Sequence, residues 1–299
     1  MTEPAVADAR PTRPLAADLL SLTKPRIISL LLVTTAMPMY VAGSPDLFTV
    51  FIVMVGGYLM AGGANAVNMY FDRDIDDVMA RTRTRPIPSG RMAPQAVMAF
   101  GMASATAATF LLGRFVNVLT AALALAGFYS YVFVYTRWLK RSTPQNIVLG
   151  GAAGAFPPLV GWAAVTNTID LRATLLFLIV FYWTPPHFWA LALNKQVDYG
   201  NAGVPMAPNA WGERETIDQM LWYSVLLVAL TLIPTTIGML GIPYLVAALL
   251  LGGWFLRGAW KVWRARDTGA WSKPAWSLYK FSLLYLALLF VAMAVDRHS

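Results

Sequence analysis

Asn68, Asp72 and Asp76 leave the end of a long apolar run at intervals of four residues. On a helix that spacing climbs one face with about 40° of drift per step, so three oxygen-bearing side chains can converge on one ion. Carboxylates at the edge of a membrane carry a large desolvation cost unless cations pair with them. Oxygen ligands that leave room for water and phosphate suit Mg²⁺. The trio therefore reads as a metal–diphosphate site, with Asn68, Asp72 and Asp76 as ligands and as the catalytic groups.

A second polar cluster repeats the first. Asn194 and Asp198 follow a later apolar run at the same spacing, with Ala202 where a third ligand would stand. The recurrence is a weak internal repeat. It implies two half-sites facing each other across a cavity, with Asn194 and Asp198 completing the metal set and Asp198 as a further catalytic carboxylate. Either cluster alone also fits a helix end that simply carries polar residues into water.

Directly after the first cluster come Arg81, Arg83, Arg85 and Arg91, interspersed with Pro86, Pro88 and Gly90. Guanidinium groups grip phosphate oxygens in bidentate fashion. Arg81 and Arg85, joined by Lys140 and Arg141 from a later loop, are the candidate diphosphate-binding cations. The excess of Lys and Arg in cytoplasmic loops of membrane proteins accounts for the same residues without a ligand. His187 stands inside an aromatic apolar span behind Pro185 and Pro186. An imidazole there is costly if idle, and neutral imidazole is a natural axial ligand for haem iron. A backbone carbonyl freed by the proline kink would satisfy it equally. Phe128, Tyr129, Tyr135, Phe181, Tyr182 and Trp183 could line an isoprenoid channel, where ring faces shelter a carbocation.

The elements that carry these residues follow from composition. The chain is 299 residues long, 58% hydrophobic and 13% charged, too apolar for a soluble globular protein of that size. Nine runs reach or approach the length that spans a bilayer: 26–43, 47–69, 94–113, 116–136, 145–165, 171–193, 219–239, 243–261 and 275–295. The net charge of +8 sits between these runs, which argues for membrane topology and against nucleic acid as a partner. Lys and Arg crowd the N-terminal segment and the loops after every even-numbered run, against only Arg114, Arg172 and Arg297 on the other side. By the positive-inside rule the N-terminus and both polar clusters face the cytoplasm in a multi-pass protein of the cell (inner) membrane. There is no cysteine, so disulfides, thiolate metal sites and Cys nucleophiles are excluded. Residues 1–20 have no apolar core and read as a disordered cytoplasmic tail without a cleavable signal peptide. Residues 21–299 then form a single transmembrane domain.

An ordered set of motifs resembles the UbiA-type intramembrane prenyltransferases, and within them the haem-farnesylating branch. It begins with Leu22-Thr23-Lys24-Pro25-Arg26, the Asn68/Asp72/Asp76 trio, and Arg81, Thr82, Arg85 and Pro86. It continues with Tyr135, Thr136, Leu139, Lys140 and Arg141, then Thr143 with Asn146-Ile147-Val148. Pro186-His187-Phe188-Trp189-Ala190-Leu191-Ala192, Asp198-Tyr199 and Ala202-Gly203-Val204-Pro205-Met206 complete it.

The resemblance implies an all-α polytopic bundle of about nine helices around a central cavity open to the cytoplasmic side. It implies Mg²⁺ as cofactor, farnesyl diphosphate as donor and haem b as acceptor. The product would be haem O for terminal oxidases, with haem A synthase or the oxidase assembly machinery as partners besides the lipid bilayer. Quinone-type relatives carry two aspartates in the second motif; Ala202 departs from that pattern, so a second metal would be held less tightly. A prenyltransferase for a quinone precursor or a chlorophyll-type ring is the near alternative. A secondary transporter is the distant one, since transporters place ionisable residues nearer mid-span.

Overall fold

The computed structural model describes residues 14–296. Of the tail expected over residues 1–20, positions up to 13 lie outside the described residues. The rest is not a tail: Leu15–Thr23 form helix α1. No side chain caps its start, and a helix this short draws its stability from tertiary contacts. Leu19 and Leu22 pack with Ala66, Met69, Ile87 and Val97. On the same helix Asp18 takes Arg91 Nε at 3.0 Å, both side chains nearly buried.

The chain continues through α2 (Pro25–Ala42), α3 (Leu47–Phe71), the short α4 (Arg73–Val78), α5 (Pro94–Phe115) and α6 (Val118–Tyr129). Helix α6 runs on through a π-helical segment (Ser130–Leu139) into α7 (Lys140–Ser142). Then come α8 (Asn146–Thr166), α9 (Leu171–Leu193), α10 (Gln196–Asn201), α11 (Ala207–Ala210), α12 (Glu213–Thr236), α13 (Ile242–Arg264) and α14 (Ser272–Asp296). Counting α6 through α7 as one, nine helices among the described residues are long and apolar enough to cross a membrane. No strand occurs among the described residues.

Their starts are written locally. Asp46, Asn117 and Asp170 cap α3, α6 and α9 by accepting from the backbone N–H three residues on, at 2.9, 2.8 and 2.9 Å. Pro25 and Pro94 occupy first-turn positions, where their missing N–H costs nothing. Two boundaries differ most: the fourth span, expected to end at 136, runs on through the π-helical segment to Ser142, and α12 starts early. The apolar run expected from 219 is preceded by a helical turn that begins at Glu213, because charged residues outside hydrocarbon still complete a helix.

Each long helix packs on the next, from α2 to α14, and α14 returns to α2, so the nine close into a ring. Helix α9 sits inward, against α8, α12 and α14. With lipid as apolar as a leucine side chain, such contacts rely on close backbone approach at small residues. Gly63 and Gly101 face each other where α3 crosses α5: a Cβ on Gly63 would lie 2.6 Å from the Gly101 carbonyl oxygen. At the α2–α8 crossing a Cβ on Gly161 would collide with the Thr35 carbonyl oxygen. Gly161→Val should therefore destabilise the bundle by about 3 kcal/mol or more, since backbone cannot give as a side chain would. Thermal melting of the detergent-solubilised variant checks this; an unchanged midpoint would show that the crossing can spread.

Candidate active site

The first polar cluster lies where α3 gives way to α4. Asp72 ends α3 at φ −88° and ψ 6°, yet the helical hydrogen bonds continue through it, Asp72 N to Asn68 O at 2.9 Å and Asp76 N to Asp72 O at 2.7 Å. The one-face spacing therefore survives the junction. Asn68, Asp72 and Asp76 are all buried, at 4%, 1% and 2% exposure, while Arg73, Asp74 and Asp77 between and beside them are exposed.

Each buried carboxylate has a cation. Lys140 Nζ donates to Asp72 Oδ2 at 2.6 Å, and Arg85 Nη1 donates to Asp76 Oδ2 at 2.6 Å. Asn68 Nδ2 bridges Asp72 Oδ2 at 2.8 Å and Thr136 Oγ1 at 3.0 Å. Thr136 lies in the π-helical segment and donates to the Tyr131 carbonyl oxygen at 2.8 Å. A widened turn at a polar site is a common use of π-helix. Here it brings Thr136 and Lys140 onto the Asn68/Asp72 face.

Lys24, the residue between α1 and α2, closes the other side. Its Nζ donates to Asn65 Oδ1 and Asn68 Oδ1, each at 3.2 Å. It holds the left-handed backbone conformation, φ 54°, which a lysine adopts only where its surroundings enforce it. Burial and then the nearby Arg85 guanidinium hold its ammonium down to about 7, although Asp76 and Asp72 pull the other way. Sequence reasoning treated Lys24 as a topological charge within a motif. The readable signal was a lysine locked before Pro25 at the mouth of a span.

One atom of the cluster has no hydrogen-bond partner. Asp72 Oδ1 is buried and receives no donor among the described residues; Arg141 Nη2 lies 3.7 Å from it, beyond hydrogen-bond distance. A buried carboxylate oxygen left open in this way marks a place for a ligand. Among the described residues no three His, Cys, Asp or Glu side chains gather into a protein-only metal cage. Mg²⁺ does not need one. It keeps several waters and is held by one or two carboxylates together with substrate phosphates, and Asp72 Oδ1 fits that donor set.

The second cluster arrives differently. Asp198 stands on α10 with no hydrogen bond or ion pair to its carboxylate among the described residues, and its neighbour Tyr199 is buried beside it. Burial raises the Tyr199 phenol, while Arg81 and Arg85 oppose that rise. The field of those guanidinium groups therefore reaches α10. A recess of about 240 Å³ lies between the segments that carry the two clusters, lined by Asp74, Ile75, Val78 and Arg141 on one side and Asn201–Val204 on the other, and none of the five expected ligands lines it. Asn194 is engaged elsewhere: it ends α9, donates to Ala190 O at 3.1 Å and accepts from Ser272 Oγ at 2.6 Å.

The expected cations divide. Arg85 and Lys140 are committed to the buried carboxylates. Arg81 is exposed, pairs with no carboxylate among the described residues and lies near Tyr135 and Tyr199. Arg141 clamps Asp74 with two bonds of 2.7 and 2.8 Å and the Phe71 carbonyl at 2.9 Å, which holds the exposed Asp74 carboxyl down at about 2. Arg91 takes no part; it braces the arginine loop through Asp18 and the Thr84 carbonyl. His187 is stacked between Trp183 and Tyr279 at 4.2 and 4.9 Å. Of the rings considered for a channel, Tyr129 is exposed on the outside of α6, whereas Phe181 and Tyr182 continue a line of ring contacts from Phe177 to Tyr223.

The site is thus a buried cluster of acid–cation pairs gathered from helix junctions at the ends of long apolar helices. The curated sequence relatives carry a matching description. A protoheme IX farnesyltransferase of Chloroflexus aurantiacus is 54% identical over 260 residues, covering 86% of this chain and 44% of that protein. One from Symbiobacterium thermophilum is 54% identical over 237 residues, 79% of each chain. The chain spans about half the length of the first of these relatives, 44% and 55% for Chloroflexus and a Roseiflexus protein. Among solved structures, a digeranylgeranylglyceryl phosphate synthase superposes with a TM-score of 0.73 at 17% identity, over 94% of this chain and 98% of its own. A UbiA homolog from Archaeoglobus fulgidus bound to DMAPP and Mg²⁺ superposes with a TM-score of 0.65 at 13% identity, over 93% and 99%. These likenesses establish the fold. The UbiA prenyltransferase family profile matches residues 29–289, and with that coverage and the close sequence relatives, this chain belongs to the UbiA prenyltransferase family.

Proposed function

We propose that this protein transfers the farnesyl group of farnesyl diphosphate to a vinyl group of haem b, with addition of water, to give haem O and diphosphate. The observation that carries the reaction class is the buried Asp72 carboxylate, one oxygen open and the other on Lys140, inside a ring of Lys24, Arg85 and Asn68. The names of the relatives support the donor and acceptor. The helices from Leu15 onward act as one transmembrane unit, and the excess of Lys and Arg on its side of the membrane supports a site at the cytoplasmic face. Supply of haem b and use of haem O would involve haem A synthase or the oxidase assembly machinery.

Asp72 and Asp198, aided by Asn68 and Asp76, would hold Mg²⁺, which supplies charge neutralisation at the leaving diphosphate. Arg81, which pairs with no carboxylate among the described residues, binds the outer diphosphate oxygens, and Lys140, Arg85 and Lys24 lower the cost of gathering the negative charge. The bond from carbon to the bridging oxygen breaks with its electron pair leaving on diphosphate. The farnesyl cation that remains is kept from early quenching by apolar and aromatic walls. The π electrons of the haem vinyl form the new carbon–carbon bond. Water captures the resulting cation beside the macrocycle and loses a proton, giving the hydroxyethylfarnesyl group. His187 orients the haem through its iron. Tyr279 stacks on His187.

Membranes containing the protein, incubated with haem b, Mg²⁺ and farnesyl diphosphate, should yield haem O by mass. Absence of that product, with the farnesyl group on a quinone precursor instead, would replace the acceptor. A pH effect follows from Lys24. Its ammonium is half-protonated near 7 in the free protein, and a bound diphosphate favours the protonated form. Binding therefore takes up a proton, and KM for the diphosphate should rise as pH climbs through and above about 7. Lys24→Arg, charged throughout, should flatten that limb; an unaltered profile would remove Lys24 from diphosphate binding.

A further inference from the structure

Ser282, on α14, makes three contacts at one point of the bundle. Its backbone carbonyl accepts from Trp183 Nε1 at 2.9 Å. Its hydroxyl donates to the Tyr279 carbonyl oxygen at 2.7 Å. The same hydroxyl oxygen lies 2.6 Å from His187 Nδ1. A hydroxyl has one proton, and a carbonyl oxygen can only accept, so that proton is committed to Tyr279. The His187 contact then requires the proton to sit on Nδ1; the reverse arrangement would set two oxygen lone pairs against each other at 2.7 Å. The imidazole is the Nδ1–H tautomer, and the free lone pair is on Nε2.

The ring is also held in plane. Trp183 stacks on one face with 15° between planes, and Tyr279 on the other with 26°. Trp183 is itself tied to Ser282. Among the described residues nothing hydrogen-bonds to Nε2, and His187 remains partly accessible. Imidazoles that ligate metals share this pattern: the other ring nitrogen donates to a fixed acceptor that sets tautomer and orientation.

We propose that Ser282 is a positioning residue that fixes His187 as its Nδ1–H tautomer and presents Nε2 to the iron of the haem acceptor. The inference rests on the reading of haem b as acceptor, and it adds the group that makes a single histidine a competent ligand. The backbone contact to Trp183 survives substitution of the Ser282 side chain, so the variants change the hydroxyl and little else.

The chain has only two histidines, so His298→Gln leaves His187 as the sole reporter. Ring-nitrogen NMR of isotope-labelled histidine in the full chain, embedded in lipid nanodiscs without haem, reads the tautomer directly. A protonated Nδ1 and bare Nε2 are expected, with Ser282→Ala giving a mixture and Ser282→Thr restoring the single state. A dominant Nε2–H form, or an Ser282→Ala spectrum identical to its parent, overturns the assignment. Ferric haem b titrated into the same samples should bind about tenfold more weakly to Ser282→Ala, with a shifted Soret band and recovery in Ser282→Thr. An affinity for Ser282→Ala equal to that of its parent overturns the positioning role. If instead His187→Ala leaves affinity and Soret band unchanged, haem does not meet His187 and the acceptor reading at that residue fails, whatever the NMR gives.

Discussion

Asp72→Ala should abolish farnesyl transfer in washed membranes while the protein still inserts. The residue joins the α3 end of the site to the π-helical segment and α7. One oxygen pairs with Lys140 at 2.6 Å and Asn68 at 2.8 Å, and the other is the open acceptor proposed for Mg²⁺. Removing it takes away the metal donor and leaves the Lys140 ammonium without its ion pair, inside a pocket that must then receive a diphosphate. A rate loss of about 10³-fold or more is expected from deleting a group that stabilises charge in the transition state. Asp72→Asn separates the charge from the shape. It keeps the side-chain volume but leaves the Lys140 ammonium without its ion pair, so the variant should melt earlier, as Asp72→Ala does, while still inserting, and transfer should fall nearly as far. Initial rates normalised to the immunoblotted protein check both variants. Retention of a tenth of the wild-type rate by either would remove that carboxylate from the mechanism.

Arg85→Met has the second largest expected effect, and it falls on stability as well as rate. Asp76 has 3% side-chain exposure and its only ion pair among the described residues is with Arg85. Breaking a buried pair by deleting one partner costs about 3–5 kcal/mol, because the remaining charge is stranded. The variant should melt earlier and transfer farnesyl about 10²-fold more slowly. Asp76→Asn in the same chain removes the stranded charge. The double variant should therefore recover most of the lost melting temperature and none of the activity. Equal melting in all three chains would mean that Asp76 reaches water or is protonated, and that Arg85 is a surface charge.

Much of this arrangement was legible in the residues. Apolar length alone located the nine long helices, because a bilayer leaves few other ways to satisfy the backbone. The four-residue spacing of Asn68, Asp72 and Asp76 placed them on one buried face, and the backbone hydrogen bonds carry that face through the helix junction. What stayed hidden depended on tertiary partners. Helix α1 is too short and too weakly patterned to be read locally; it exists because Leu22 finds Met69 and Asp18 finds Arg91. Counting charges cannot distinguish an arginine that grips a ligand from one that grips a neighbour, so Arg81, Arg85 and Arg141 all read as diphosphate-binding cations, with Arg91 of the same loop set aside. The structure gives them four different surroundings.

The apparent symmetry of the two clusters also had a limit. Asn194 matches Asn68 in spacing, yet it ends its helix and bonds with Ser272, whereas Asn68 is a buried bridge between Lys24, Asp72 and Thr136. A helix that stops at Leu193 resets the angular register for everything after it, so Tyr199 rather than a second carboxylate is the buried residue of α10. This asymmetry favours one strong metal position at Asp72 with Asp198 as a weaker contributor.

Equilibrium binding of a non-ionising farnesyl thiodiphosphate to the purified protein tests the heart of the mechanism most directly. Binding should require Mg²⁺, weaken at least tenfold in Asp72→Asn, and weaken less in Asp198→Asn. An affinity that is the same in chelator as in Mg²⁺, and unaltered by Asp72→Asn, would contradict a carboxylate-held cation at the diphosphate.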